Sequence, residues 1–145
     1  MPPLTLDFYV NQGRYGITAN NNFKFGTEGL GTCVGVIVQL NNGNNFCGHM
    51  DHSYEPTQAQ KAVFIQQVVQ VLQATIPLAN VQQVHYSTPG GTRAAQYTVD
   101  AIVQQFPGAV NAGVRSCIYI AAVGVQATDQ NATLGQMVDN GAFGV

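Results

Sequence analysis

The chain opens on an alternation of apolar and polar positions. Leu4, Leu6, Phe8 and Val10 are separated by Thr5, Asp7 and Tyr9, a period of two that predicts a strand with one buried face. Gln12-Gly13 is a turn signal, Tyr15 to Ala19 fits a second short strand, and Asn20-Asn21-Asn22 reads as a polar loop. From Phe23 to Thr32 the glycines at 26, 29 and 31 break the pattern, and no helix is expected there. Cys33-Val34-Gly35-Val36-Ile37-Val38-Gln39-Leu40 then runs apolar and β-branched, as a buried strand does. Asn41-Asn42-Gly43-Asn44 follows. Asn-Gly marks a two-residue type I′ hairpin turn, so Asn45 to His52 is expected to return beside the first strand.

Beyond Pro56 the period changes. Ala59, Ala62, Val63, Val69, Leu72 and Ile76 recur at helical spacing, with glutamines on the other face. Thr57 is a candidate N-cap, and Pro77 ends the helix. Val81 to Ser87 reads as a strand, Pro89-Gly90-Gly91 as a turn, and Thr92 as the cap of a second helix from Arg93 to Phe106, closed by Pro107-Gly108. Ser116 to Val125 is expected to form one central strand, with Met137 and Phe143 together on a short final one. Strands outnumber helices and do not alternate regularly with them. That predicts an α+β layered fold in a single domain spanning 1–145 rather than a doubly wound sheet.

Composition narrows the function classes. Of the 145 residues only 8% are charged, and the net charge is −2. Five Lys and Arg residues cannot neutralise a phosphate track, so nucleic acid is not an expected partner. No apolar run is long enough to cross a bilayer, and membrane insertion is not expected. The first residues carry no basic region followed by an apolar stretch. The expectation is therefore a cytoplasmic protein, or one secreted or injected without a cleavable signal peptide. Three cysteines without a C-x-x-C pair predict neither a disulfide framework nor a zinc knuckle.

The hairpin places chemistry. With Asn42 and Gly43 as the two loop residues, Cys33 falls opposite His52, and directly opposed Cβ atoms lie about 4.5–5.5 Å apart on one face. In that register His49 opposes Val36 and faces the other way; a bulge near Cys47-Gly48 would bring it round as the alternative base. His85, on a separate strand, is a lesser candidate, and Asp51 is expected to point away into solvent. A thiol beside an imidazole serves nucleophilic attack on a carboxamide, followed by hydrolysis of the thioester. The oxyanion needs N–H donors, for which Gly29, Gly31 and the Thr32-Cys33 backbone are candidates. Cys47 and Cys117 lie in apolar strands and read as core.

These residues carry a resemblance. Thr27-Glu28-Gly29-Leu30-Gly31-Thr32-Cys33-Val34-Gly35-Val36 resembles the T-x-G-L-G-[ST]-C-V-x-V signature of the chemoreceptor glutamine deamidases, the CheD family. Gly48-His49-Met50-Asp51-His52 is similar to a G-x-M-x-H segment of that family, whose last histidine is catalytic, and Gly90-Gly91 resembles its Gly-Gly segment. The likeness implies Cys33 as nucleophile, His52 as base and Thr27, six positions before the cysteine, as third active-site residue. The same spacing is found in bacterial toxin deamidases of the lethal-factor type, and the cytotoxic necrotizing factor catalytic domain shares the fold. The implied fold is a β-sandwich of mixed sheets flanked by two main helices. The implied activity is cofactor-free conversion of glutamine to glutamate on a protein partner with an exposed glutamine, as a chemoreceptor regulator or as an effector or toxin. Ser53-Tyr54-Glu55-Pro56 replaces the leucine-rich segment usual after the histidine in the chemoreceptor enzymes. Transglutamination, small-amide hydrolysis and a non-catalytic binding module on the same fold are the competing expectations.

Overall fold

The computed structural model describes residues 3–19 and 23–145; the Asn20-Asn21-Asn22 loop expected above lies outside the described residues. Two mixed sheets carry the structure. The first, of five strands, has the order β10-β1-β3-β8-β9, where β1 is Leu4–Tyr9, β3 Phe25–Thr27, β8 Cys117–Ala121, β9 Gly124–Thr128 and β10 Ala132–Met137. The second, of six strands, has the order β11-β2-β5-β4-β6-β7, with β2 Arg14–Ala19, β4 Val34–Leu40, β5 Asn44–Met50, β6 Val81–Ser87, β7 Val110–Gly113 and β11 Gly141–Ala142. β1 runs parallel to both its neighbours and β6 parallel to β7, while the other ladders are antiparallel.

The period of two in β4 sorts its side chains between two cores. Val34, Val36, Val38 and Leu40 join Phe46 and Met50 against the helices α1 (Lys61–Thr75) and α2 (Arg93–Gln105), where Phe64, Val68, Leu72, Ala94 and Ile102 complete the layer. Ile37 and Cys47 point the other way, onto Phe25, Leu30, Ile118 and Ile120 of the first sheet and its loop. The molecule is thus an α+β sandwich with both helices on the outer face of the six-stranded sheet. Each fully buried Phe or Leu of these cores contributes about 1.5–3 kcal/mol against its exposed state.

Local chemistry explains where the elements start. Thr92 accepts the Ala95 N–H at 3.1 Å as the cap of α2, and the Glu55 carboxylate accepts the Arg93 and Ala94 N–H groups, satisfying first-turn donors with a charge of the favoured sign. The first helix begins later than expected: Gln58–Gln60 form a 3-10 turn before Lys61. The single strand expected from Ser116 to Val125 is a hairpin, β8 and β9, turned at Gly124 with φ +105°. Met137 and Phe143 do not share a strand. Met137 ends β10 in the first sheet, whereas Phe143 is fully buried in the helix-side core. β3 and β7 were not expected; at 3 and 4 residues both are too short for a period to appear.

Candidate functional site

The expected hairpin register is off by one residue. β4 and β5 pair Val34 with Met50, Gly35 with His49 and Gln39 with Asn45. The loop is not a two-residue turn. Gly43 N–H bonds the Leu40 carbonyl at 3.3 Å, Gly43 has φ +86°, and Asn44 N–H is caught by the Asn42 side chain at 3.1 Å. This is a three-residue loop, a turn followed by a glycine in the left-handed region. One residue of slip exchanges faces throughout the returning strand.

The consequence reassigns the histidines. Cys33 stands opposite Asp51, not His52, one step beyond the Val34–Met50 pair. His49 shares the face of Cys47 and Asp51 and looks toward the first sheet. His52 falls on the helix side, its ring centroid 6.3 Å from that of Phe64. The expected Cys33–His52 opposition is therefore corrected, and the alternative base His49 is the histidine on the Cys33 face. Diagonal positions of this kind are separated by about 7–8 Å between Cα atoms, within reach of long side chains. His85 is engaged elsewhere, its Nε2 3.0 Å from Gln39 Oε1.

Thr27 holds His49. Its Oγ1 lies 2.8 Å from His49 Nδ1 and 2.8 Å from the Val10 carbonyl oxygen. A hydroxyl has one proton, and a carbonyl oxygen accepts only. The Thr27 proton therefore goes to Val10, and Nδ1–H of His49 donates to Oγ1. The ring is left with its lone pair on Nε2, which is buried and has no partner among the described residues. Thr27 is 0% and His49 2% exposed. Burial pulls the His49 pKa from 6.5 down to about 4, against an opposing pull from the Asp51 carboxylate. The imidazole is neutral at pH 7.

Cys33 sits at the mouth of β4 and is 5% exposed. Its Sγ is 3.7 Å from Asp51 Oδ1, an oxygen that also accepts the His52 N–H at 2.8 Å. Asp51 does not point away into solvent as expected; it abuts the thiol. Burial first, and then the Asp51 charge and hydrogen bond, push the Cys33 thiol up to about 11. The resting sulfur is a thiol, not a thiolate.

The loop before Cys33 is tied at two points. Leu30 N–H donates to the Ser116 carbonyl, and Cys33 N–H to the Leu30 carbonyl, each at 3.0 Å. Cys33 N–H is therefore spent within the loop and is not free for an oxyanion. Gly29, with φ +69°, and Gly31 and Thr32 are exposed, and their N–H groups make no hydrogen bond among the described residues. On the other side, Thr88 donates its hydroxyl to the Cys33 carbonyl at 2.7 Å and accepts the Gly90 N–H at 3.1 Å, which fastens the Gly90-Gly91 turn to the cysteine. Thr88 and Glu55 belong to the site's framework without any sequence signal that marked them, and Asp51 was marked only as a solvated residue. Cys47 and Cys117 are fully buried core thiols.

A scan against protein-family models and a search of curated proteins both return no match for this chain. Among the described residues no group of three His, Cys, Asp or Glu side chains is placed to hold a metal ion, and no helix is long and apolar enough to cross a membrane.

Proposed function

We propose that this protein is a cysteine-dependent protein-glutamine deamidase similar to the CheD and bacterial toxin deamidases, with Cys33 as nucleophile, His49 as general base and Thr27 as the residue that orients the base. The observation that carries it is the Val10–Thr27–His49 relay, with both of its contacts at 2.8 Å. A buried threonine that selects one imidazole tautomer and leaves Nε2 unpartnered, on the sheet face that also carries Cys33, is the orienting arrangement a thiol hydrolase needs.

The chemistry runs from a neutral pair. As a glutamine carboxamide meets Cys33, His49 Nε2 takes the thiol proton and sulfur bonds the carboxamide carbon. The carbonyl oxygen becomes an oxyanion within reach of the Gly31 and Thr32 N–H groups, with Gly29 giving the loop its backbone freedom. The imidazolium then returns its proton to nitrogen, the C–N bond breaks and ammonia leaves a thioester. Water, deprotonated by the same Nε2, attacks the thioester carbon, the C–S bond breaks, and glutamate and the Cys33 thiol are regenerated. Because His49 is neutral above about pH 4, the base is available across the neutral range without a standing thiolate.

A non-catalytic binding module on the same fold is the competing reading, and the observation on its side is the thiol pushed up to about 11. The two part on one experiment. Denatured casein and a set of glutaminyl peptides are incubated with the wild type and with Cys33→Ser. A gain of about one dalton per site with matching ammonia release, absent in the mutant, supports the deamidase. Mass gain by added amine without ammonia-matched acid marks transglutamination instead. No modification by wild-type protein under any tested pH leaves the binding module.

A further inference from the structure

We propose that Asp51 is the specificity residue of this site: its carboxylate accepts a hydrogen bond from the NH2 of a substrate carboxamide and repels the carboxylate that replaces it. The proposal rests on the reading of Cys33 as nucleophile. Asp51 Oδ1 is 3.7 Å from Sγ, so a group whose carbon reaches the sulfur also brings its substituents to Asp51. The residue is held firmly. Its N–H bonds the Phe143 carbonyl at 3.2 Å, its carbonyl accepts the Val145 N–H at 2.9 Å, and its Oδ1 is fixed by the His52 N–H at 2.8 Å.

Among the described residues no cation forms an ion pair with this carboxylate. The ion pairs among the described residues are Arg14–Asp139, Lys61–Asp100 and Arg115–Asp129. An uncompensated anion against a nucleophilic sulfur opposes thiolate formation, so its benefit must lie in another part of the cycle. A carboxamide presents one acceptor and two N–H donors, whereas a carboxylate presents acceptors only. With the carbonyl oxygen taken by the Gly31 and Thr32 amides, the nitrogen needs an acceptor, and Asp51 is the carboxylate at that position. At rest the S–H donates to Oδ1. When the proton passes to His49, Oδ1 is released to the incoming NH2. After hydrolysis the product carboxylate faces Asp51 with like charge and leaves. A depression of about 260 Å³ is lined by Gly13, Asp51, His52, Ser53 and Val145.

Iodoacetamide and iodoacetate test this on the intact protein, because they differ only in carboxamide against carboxylate and alkylate the same sulfur. Competing the two and measuring Cys33 peptide mass gives a ratio that cancels any change in thiolate population. Wild type is expected to prefer the amide at least about tenfold more than a free cysteine peptide does, and Asp51→Asn, which keeps an oxygen for the His52 N–H, to fall to about the peptide's ratio. Asp51→Ala, checked for folding by circular dichroism, is expected to match it. A wild-type ratio equal to the peptide's, or a preference that persists in folded Asp51→Asn, overturns the proposal. The fully buried Cys47 and Cys117 serve as internal controls. His49→Asn separates the two readings: if alkylation at Cys33 is indifferent to loss of His49, the nucleophile–base assignment fails while the Asp51 ratio is still read. If native Cys33 reacts with neither reagent, both readings fall.

Discussion

Gly35 lies directly across the β4–β5 ladder from His49. The position has no room for a side chain: a Cβ there would stand 2.6 Å from Ile118 Cγ2 and 3.0 Å from Leu30 Cδ1. Leu30 in turn carries the carbonyl that accepts the Cys33 N–H. The absent side chain therefore lets the two sheets close, seats the loop that holds the cysteine, and leaves the histidine's partner position clear. Gly35→Ala is expected to cost about 1–3 kcal/mol through overpacking and to slow alkylation or turnover at Cys33. A shifted denaturant midpoint at unchanged slope checks the first part. Wild-type stability in the variant would show that the sheets have slack here.

Thr27→Val keeps the shape but removes the hydroxyl that serves both His49 and the Val10 carbonyl. Leaving such groups buried without a partner costs about 1–3 kcal/mol. On the proposed function, kcat falls more than KM changes, because the base loses its tautomer. Thr27→Ser is expected to recover most of both. Imidazole nitrogen NMR shifts report the tautomer directly, and a wild-type Nδ1–H signature that survives in Thr27→Val would remove Thr27 from the positioning role.

The two histidines make opposite forecasts. His49→Ala is expected to lower the deamidation rate by about 10²–10⁴, the usual worth of a positioned general base. His52→Phe should keep activity near wild type. His52 Nδ1 is buried with no partner among the described residues, and its ring already packs on Phe64, so an aromatic hydrocarbon in its place is expected to leave stability unchanged or raised. A dead His52→Phe beside an active His49→Ala would return the base to His52.

Acid should destabilise the protein through His49. Its pKa falls from 6.5 when exposed to about 4 in the fold, so in the window between those values the unfolded chain binds a proton that the folded chain refuses. Stability is full above about pH 6.5 and is lost as pH falls toward 4. The difference corresponds to on the order of 3 kcal/mol. Melting curves at stepped pH are expected to show the loss, and His49→Gln to flatten it over that window. A wild-type curve level from pH 7 to 4 would contradict a buried neutral imidazole.

Much of this was legible along the chain. The alternation from Leu4 to Val10, the β-branched run after Cys33 and the helical spacings that gave α1 and α2 follow from local periods, because each element buries one face against a neighbour. The second helix was read to within a residue, because Thr92 before it and Pro107-Gly108 after it act on the backbone locally. Cys33, His49 and His52 were named as candidates from residue type and spacing, and Thr27 from the resemblance of its segment to the deamidase signature. What periodicity does not carry are segments such as β3 and β7, which are shorter than the period needed to detect them, and the split of 116–125 into a hairpin.

Which histidine faces Cys33 was decided only in three dimensions. Two-residue and three-residue loops are both open to Asn41-Asn42-Gly43-Asn44, and local preference favoured the first. The strands chose the second because it sends Cys47 inward between the sheets and Phe46 and Met50 onto the helices. Burial of several side chains outweighs the preference of one turn. The same choice carried Asp51 against the thiol and His49 onto Thr27, a residue 22 positions away in the chain. Sequence determines which groups are available and which face each element hides; the packing of one sheet on the other selects the register, and the register selects the site.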